Sequence, residues 1–260
     1  MNGKFETASN SEQDNTKTGW ESVAAMADEF SKGENRETAK EIEVRLLNPE
    51  KDDLKRAANL IYQVDPYICP DFFGDEERAE KMAPVIFGEE GGLFDPRHTI
   101  VAEEDGKLLG ILIYADNTIK PWDTEGVKKK VEATGIEMPE YFDRANKNYM
   151  EAVVEDARTL PDGVAEVEWC ATDSSARGKG IASKIFEKFL ALPYKEQHLT
   201  VLADNPPAIH LYEKNGFKIV STQTGYPDES VGTHNMVRKT QNSTDATAAE
   251  RAEMFKNGDF

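Results

Sequence analysis

Hydrophobic and polar positions divide this chain into segments of distinct period. Ile42-Glu43-Val44-Arg45-Leu46 alternates as a half-buried strand does and is closed by Asn48-Pro49. The next apolar positions recur at helical spacing, predicting a helix from about Asp53 to Val64 that stops before Asp65-Pro66. Tyr67 to Gly74 reads as a loop crowded with aromatic residues, and a second helix is expected from about Asp75 to Phe87. Thr99–Glu103 and Lys107–Tyr114 flank Asp105-Gly106, a two-residue turn pair that predicts a hairpin. Val164–Ala171 and Leu199–Ala203 read as strands, and Ile181, Ile185, Phe186, Phe189 and Leu190 form one helical stripe between them. Phe217–Val220 is a further short apolar stretch.

The connection over residues 115–163 is long. Tyr141, Ala145, Tyr149, Val153 and Ala157 form a stripe behind Pro139 and predict one helix. Ala115–Met138 is then extra sequence, carrying Trp122 and Lys128-Lys129-Lys130. It reads either as a flap over a binding site or as a surface elaboration with a solvated lysine face. Residues 1–40 are polar and expected to be unstructured, except that Trp20, Val23, Ala24, Ala27 and Phe30 fall at helical spacing. Residues 241–260 form a second polar tail with a weakly helical stretch. The expectation is one α/β domain over residues 41–240.

Composition narrows the partners. The 260 residues are 38% hydrophobic and 31% charged, with a formal net charge of −18, an acidic excess spread along the chain. Such a surface repels nucleic acid and attracts cations. No apolar run is long enough to span a membrane, and the first residues lack the basic-then-apolar pattern of a secretory signal. Cys69 and Cys170 lie far apart with no metal-ligand spacing; they read as free thiols in a reducing cytoplasm, and no metal is implied.

The chemistry concentrates around Arg177-Gly178-Lys179-Gly180-Ile181-Ala182-Ser183, between a strand and an amphipathic helix. A glycine-rich turn opening a helix presents unpaired N–H groups at the positive end of the helix dipole, which makes an anion site suited to phosphate. A P-loop would need Lys-Ser or Lys-Thr after a longer loop, which is absent. The dinucleotide fingerprint fits in part, as Gly178, Gly180 and Ser183 with Asp204 downstream, but the six residues Thr172–Arg177 intervene after the strand. On the Val164–Ala171 strand, alternation places Val164, Glu166, Glu168 and Cys170 on one face and Ala165, Val167, Trp169 and Ala171 on the other. Two carboxylates on a central strand are costly to bury without a purpose. Downstream, Asn205 suits a helix N-cap, Pro206 the first turn, and Gly216 the position past the helix end.

Arg177, Gly180 and Ala182 fill in order the pyrophosphate-binding motif of the GNAT superfamily of acyl-CoA-dependent N-acetyltransferases. The segment from Asn205 through Tyr212 to Gly216-Phe217 resembles that family's next element, with the same order and spacing. The resemblance spans about Val164–Val220. It implies a mixed, mostly antiparallel sheet flanked by helices and direct acetyl transfer from acetyl-CoA to a primary amine, cationic or not. In those terms Arg177–Ser183 hold the cofactor phosphates, and the backbone at Cys170 and Thr172 meets the pantetheine arm, as does the Asn205 region. Glu168 sits where the family often carries its general base, with Glu166 the lesser candidate, and Tyr212 where it carries a general acid. His210 reads as a surface residue, and Cys170 as a small packed residue, because no histidine partners it. Acceptor walls in the family come from the first two helices, here including Tyr67, Phe72 and Phe73. A homodimer fits such a family. Two alternatives remain open from the residues: a non-catalytic acyl-CoA sensor on the same fold and a dinucleotide-dependent oxidoreductase.

Overall fold

The computed structural model describes residues 41–64, 68–137, 150–224, 232–240, 250, 251 and 253. The Trp20–Phe30 stripe, Tyr67, Tyr141, Ala145, Tyr149 and most of the C-terminal segment lie outside them. The elements run β1 (Glu43–Leu46), α1 (Leu54–Tyr62), α2 (Ile68–Phe73), α3 (Glu76–Ile86), β2 (Thr99–Glu104), β3 (Lys107–Ala115), α4 (Thr124–Glu132) and α5 (Glu151–Thr159). They continue as β4 (Val164–Thr172), α6 (Ile181–Leu190), β5 (Glu196–Leu202), α7 (Pro206–Lys214), β6 (Lys218–Gln223) and β7 (Thr233–Lys239). The strands form one sheet in the order β1-β2-β3-β4-β5-β7-β6. Only β4 and β5 are parallel, which makes the sheet mixed and mostly antiparallel as expected.

Local chemistry explains where the elements begin. The Asp53 and Asp75 carboxylates accept the backbone N–H groups of Arg56 and Arg78, capping α1 and α3. Asp105 and Gly106 both adopt positive φ, 53° and 80°, the backbone that a two-residue hairpin turn demands. Each sheet face buries its own core. Ile181, Ile185, Phe186 and Phe189 of α6 cover Leu112, Tyr114, Val167 and Leu199 on one side. On the other, α1, α3 and α4 pack over Val101, Ile111, Ile113 and Trp169.

Several expectations are corrected. Residues 68–73 form a short helix rather than a loop, because its turn drives Cys69, Phe72 and Phe73 into the core. The extra segment after β3 has the solvated lysine face that one of its two readings expected, but its other face is part of the core. Ile119, Val127, Val131 and Ile136 are buried in the same core as α3, while Lys129 and Lys130 face solvent. Trp122 meets Phe72 and Phe94 edge-on with ring centroids 6.0 and 6.4 Å apart. The segment therefore completes the core, and Val131→Ala is expected to lower unfolding free energy by about 2 kcal/mol, measurable by urea titration. Of the Phe217–Val220 stretch only Phe217 is buried; Ile219 and Val220 stand 43% and 60% exposed on β6, at the sheet edge. No apolar period announces β7, which contributes Met236 to the core, buries Thr233, and leaves the four residues His234, Asn235, Val237 and Arg238 half-exposed.

Arg251, within the segment expected to be a polar tail, is buried. Its guanidinium donates to Asp162 Oδ1 at 2.7 Å, lies 3.9 Å from Asp116 Oδ2, and sits 5.0 Å over the Tyr194 ring. The buried Asp116 carboxylate also accepts the Tyr194 hydroxyl at 2.8 Å. Arg251 is thus held at the end of the sheet where β4 starts, between two carboxylates and an aromatic ring.

Candidate active site

The site begins with a break in sheet pairing. β4 and β5 pair from Val164↔Glu196 to Val167↔Leu199 and then part. β5 stays paired with β7 as far as Leu202, and β4 with β3 as far as Thr172. The edge of Glu168–Thr172 that would face β5 consequently has no strand partner. Backbone amides in such a gap need an acceptor or donor, and an extended ligand bearing its own amides can supply one.

A second irregularity lies at the same place. Ile113 pairs with Trp169 but Tyr114 pairs with Val167, so Glu168 is an extra residue in the β3–β4 ladder, a β-bulge. The bulge resets the alternation. Ala165 and Val167 pack on the α6 side, Trp169 and Ala171 on the α1 side, and Cys170 returns to the α6 side. The expected sharing of one face by Glu166, Glu168 and Cys170 is therefore wrong: one inserted residue places Cys170 across the sheet from where strict alternation puts it.

Glu168 and Glu166 are half-buried on β4. Burial pushes the Glu168 carboxyl well above the ordinary value, and Glu166 and the exposed Asp156 of α5 push further in the same direction. The Glu166 carboxyl is raised by burial and by Asp156, while His198, its partner on β5, opposes the rise. Among the described residues no lysine or arginine forms an ion pair with Glu166, Glu168 or Asp156.

Tyr212 of α7 packs against Phe186 and Phe217, with ring centroids 5.1 and 6.2 Å away. Burial first, and then proximity to Cys170, raise the pKa of its phenol, so the hydroxyl keeps its proton throughout the neutral range. Burial raises the Cys170 thiol to about 12, which leaves it protonated and a poor nucleophile. These two side chains share the α6 side, beside the gap.

The loop after β4 meets the requirements of an anion site. Gly178 and Gly180 have φ of 81° and 79°, and a Cβ added at either would meet open space. Gly180 precedes α6 with no side-chain cap. Among the described residues no backbone acceptor meets the N–H groups of Gly178, Gly180, Ile181, Ala182 and Ser183. Arg177 is exposed and forms no ion pair among the described residues, whereas the Lys179 ammonium lies 3.3 Å from Glu104 on β2. Asn205 caps α7, its side chain accepting the Ala208 N–H at 3.3 Å. Thr172 ends β4 opposite Gly110. His210 is exposed, as expected. Phe72 and Phe73 are buried in the core, with Phe72 stacked on Phe94.

Sequence reading missed the residues that support this loop. Asp173 Oδ1 accepts both the N–H of Ser175 at 2.7 Å and its hydroxyl at 2.5 Å, and the other carboxylate oxygen binds the Arg56 guanidinium from α1. Only the Asp-x-Ser spacing of an Asx turn hinted at the first contact; nothing local hinted at the second.

The acetyltransferase (GNAT) family model matches residues 61–217. An N-acetyltransferase from Staphylococcus aureus Mu50 superimposes with a TM-score of 0.53 at 18% identity, covering 75% of this chain and 99% of its own, which is a likeness of fold. A structure described as an acetyltransferase gives 0.49 at 21% identity, covering 76% and 100% of the two chains. The ribosomal-protein-S18-alanine N-acetyltransferase of Escherichia coli gives 0.46 at 14%, covering 78% and 97%. A search of curated proteins returned no match.

Proposed function

Because the chain belongs to the GNAT acetyltransferase family, for which acyl transfer from an acyl-CoA is the general chemistry, we propose that it acetylates a primary amine from acetyl-CoA. The observation that carries this reading is the coincidence of three features at one end of β4: the strand gap, the bulge at Glu168, and the loop of unpaired N–H groups. The cofactor phosphates lie on Gly178–Ser183 with Arg177 beside them, and the pantetheine amides occupy the missing strand position along Cys170–Thr172. Asn205 borders that arm.

A primary amine at neutral pH is mostly protonated and cannot attack until it loses a proton. Glu168 takes it, directly or through one water. Its raised pKa brings the base closer to neutrality, where proton transfer is efficient. The amine nitrogen then bonds to the thioester carbonyl carbon, and backbone N–H groups on the open edge of β4 stabilise the oxyanion. As the carbon–sulfur bond breaks, Tyr212 protonates the departing thiolate, and the second proton that the nitrogen sheds on becoming an amide returns to the Tyr212 phenolate. The protonated Cys170 favours this direct route over an acyl-cysteine. The carboxyl groups of Glu166, Glu168 and Asp156, which form no ion pair with lysine or arginine among the described residues, favour a cationic acceptor, which they attract when ionised.

Calorimetric titration with acetyl-CoA tests the cofactor half of this reading. Wild-type protein is expected to bind, and Gly180→Glu to lose binding, because a carboxylate is placed among phosphates at a residue with φ of 79°. A folded wild type that ignores acetyl-CoA sinks the proposal. Binding without CoA release across a panel of amines would instead favour an acyl-CoA sensor.

A further inference from the structure

The anion loop contains a contradiction. Asp173, a carboxylate only 8% exposed, opens the loop whose business is to hold phosphates. An unneutralised negative charge four residues before Arg177 would oppose the ligand. The structure answers it from a distant part of the chain. The Arg56 guanidinium of α1 binds Asp173 and also donates through Nε to the Leu108 carbonyl of β3 at 3.2 Å. Both side chains are largely shielded, 21% and 11% exposed, so water screens the pair weakly. Lys107 stands 3.9 Å from the same carboxylate but is 59% exposed and contributes little.

We propose that Arg56 is a positioning residue for cofactor binding: it fixes Asp173 as the scaffold of the phosphate loop and cancels its charge beside the anion. This inference rests on the acyl-CoA reading of that loop. The geometry separates two tasks of Asp173. One oxygen orders the turn through Ser175, and the other would repel the cofactor were it not covered by Arg56. Arg56 suits this better than a lysine, because its planar fork reaches a carboxylate and a carbonyl at once. The same pair ties the loop to α1, whose far end, at Tyr62, meets Phe73 with ring centroids 6.4 Å apart.

The test compares full-length wild type, Arg56→Ala and the double variant Arg56→Ala/Asp173→Asn by calorimetry. CoA is the probe, and pantetheine, which has the arm without phosphates, is measured by competition. Arg56→Ala is expected to weaken CoA roughly tenfold, the order of one lost charge-assisted contact. The double variant is expected to recover to within roughly threefold of wild type, since asparagine still accepts from Ser175 and carries no charge. Pantetheine affinity should be the same in all three. The double variant leaves no unpaired buried charge, so it also serves should Arg56→Ala alone fail to fold. Unchanged CoA affinity in Arg56→Ala, or pantetheine falling in step with CoA, overturns the inference. A wild type that binds no CoA overturns the cofactor reading instead, which is a different outcome.

Discussion

Glu168→Gln is expected to lower kcat by about 10²–10⁴-fold, the usual contribution of a positioned base, while making the protein more stable on the alkaline side of the raised carboxyl pKa. The two effects share one cause. Burial raises the Glu168 carboxyl above the ordinary 4.5, with Glu166 and then Asp156 adding to the rise, so the folded state holds this proton more tightly than the unfolded chain does. The stabilisation associated with the protonated carboxyl is complete below the unfolded value and is lost as pH rises through the folded one. Above its raised folded-state pKa the wild type carries a poorly solvated carboxylate that the glutamine variant lacks. Thermal unfolding should therefore show the variant gaining on the wild type as pH rises through that pKa, with the gap closing as pH falls toward 4.5. The wild-type rate should fall as pH drops through the raised pKa, because the base must be deprotonated to act. A variant within a few-fold of wild-type kcat would exclude Glu168 and move attention to Glu166 on the same strand.

The second large effect is expected far from the chemistry. Arg251→Ala removes the cation held between Asp162 and Asp116 and leaves the buried Asp116 carboxylate without its compensating charge. Breaking a buried pair by deleting one partner costs about 3–5 kcal/mol, or a Tm lower by ~10 °C or more in a chain of this size. Arg251→Ala/Asp116→Asn should recover much of that loss. The carboxylate that needed compensation is gone, while the new amide oxygen can still accept the Tyr194 hydroxyl. This cluster lies at the Val164 end of β4 and the glycine loop of the proposed cofactor site at the Thr172 end, so kcat at low temperature should be unchanged. A Tm within about 2 °C of wild type would mean that the contact contributes little.

Much of the architecture could be read from local pattern. The alternation of β1, the Asp105-Gly106 turn, the α6 stripe and the Asn205 cap are each decided by residues within a few positions of one another, and all appear as expected. The glycine turn before α6 was legible for the same reason, since glycine at positive φ before an uncapped helix is a short-range property. Where pattern reading failed, the deciding contacts came from elsewhere in the chain. Residues 68–73 are too few to show a helical period, and their coil is decided by what Phe72 and Phe73 can reach. α4 looked like surface because its lysines are conspicuous and its two core valines, Val127 and Val131, are not.

Residue order alone was enough to mark most helices and strands, to put a glycine turn at positive φ after the fourth strand, and to put glutamates on that strand. Those outcomes depend on backbone sterics, capping and periodicity, which act over a few residues. Which way the glutamates face relative to Cys170 was settled only in three dimensions, because a bulge is a mismatch between β4 and β3 and exists in neither strand separately. The same holds for Arg56 covering Asp173, 117 positions away, and for Arg251 closing the far end of the sheet. Charge compensation inside a fold acts through space, and no local pattern carries it.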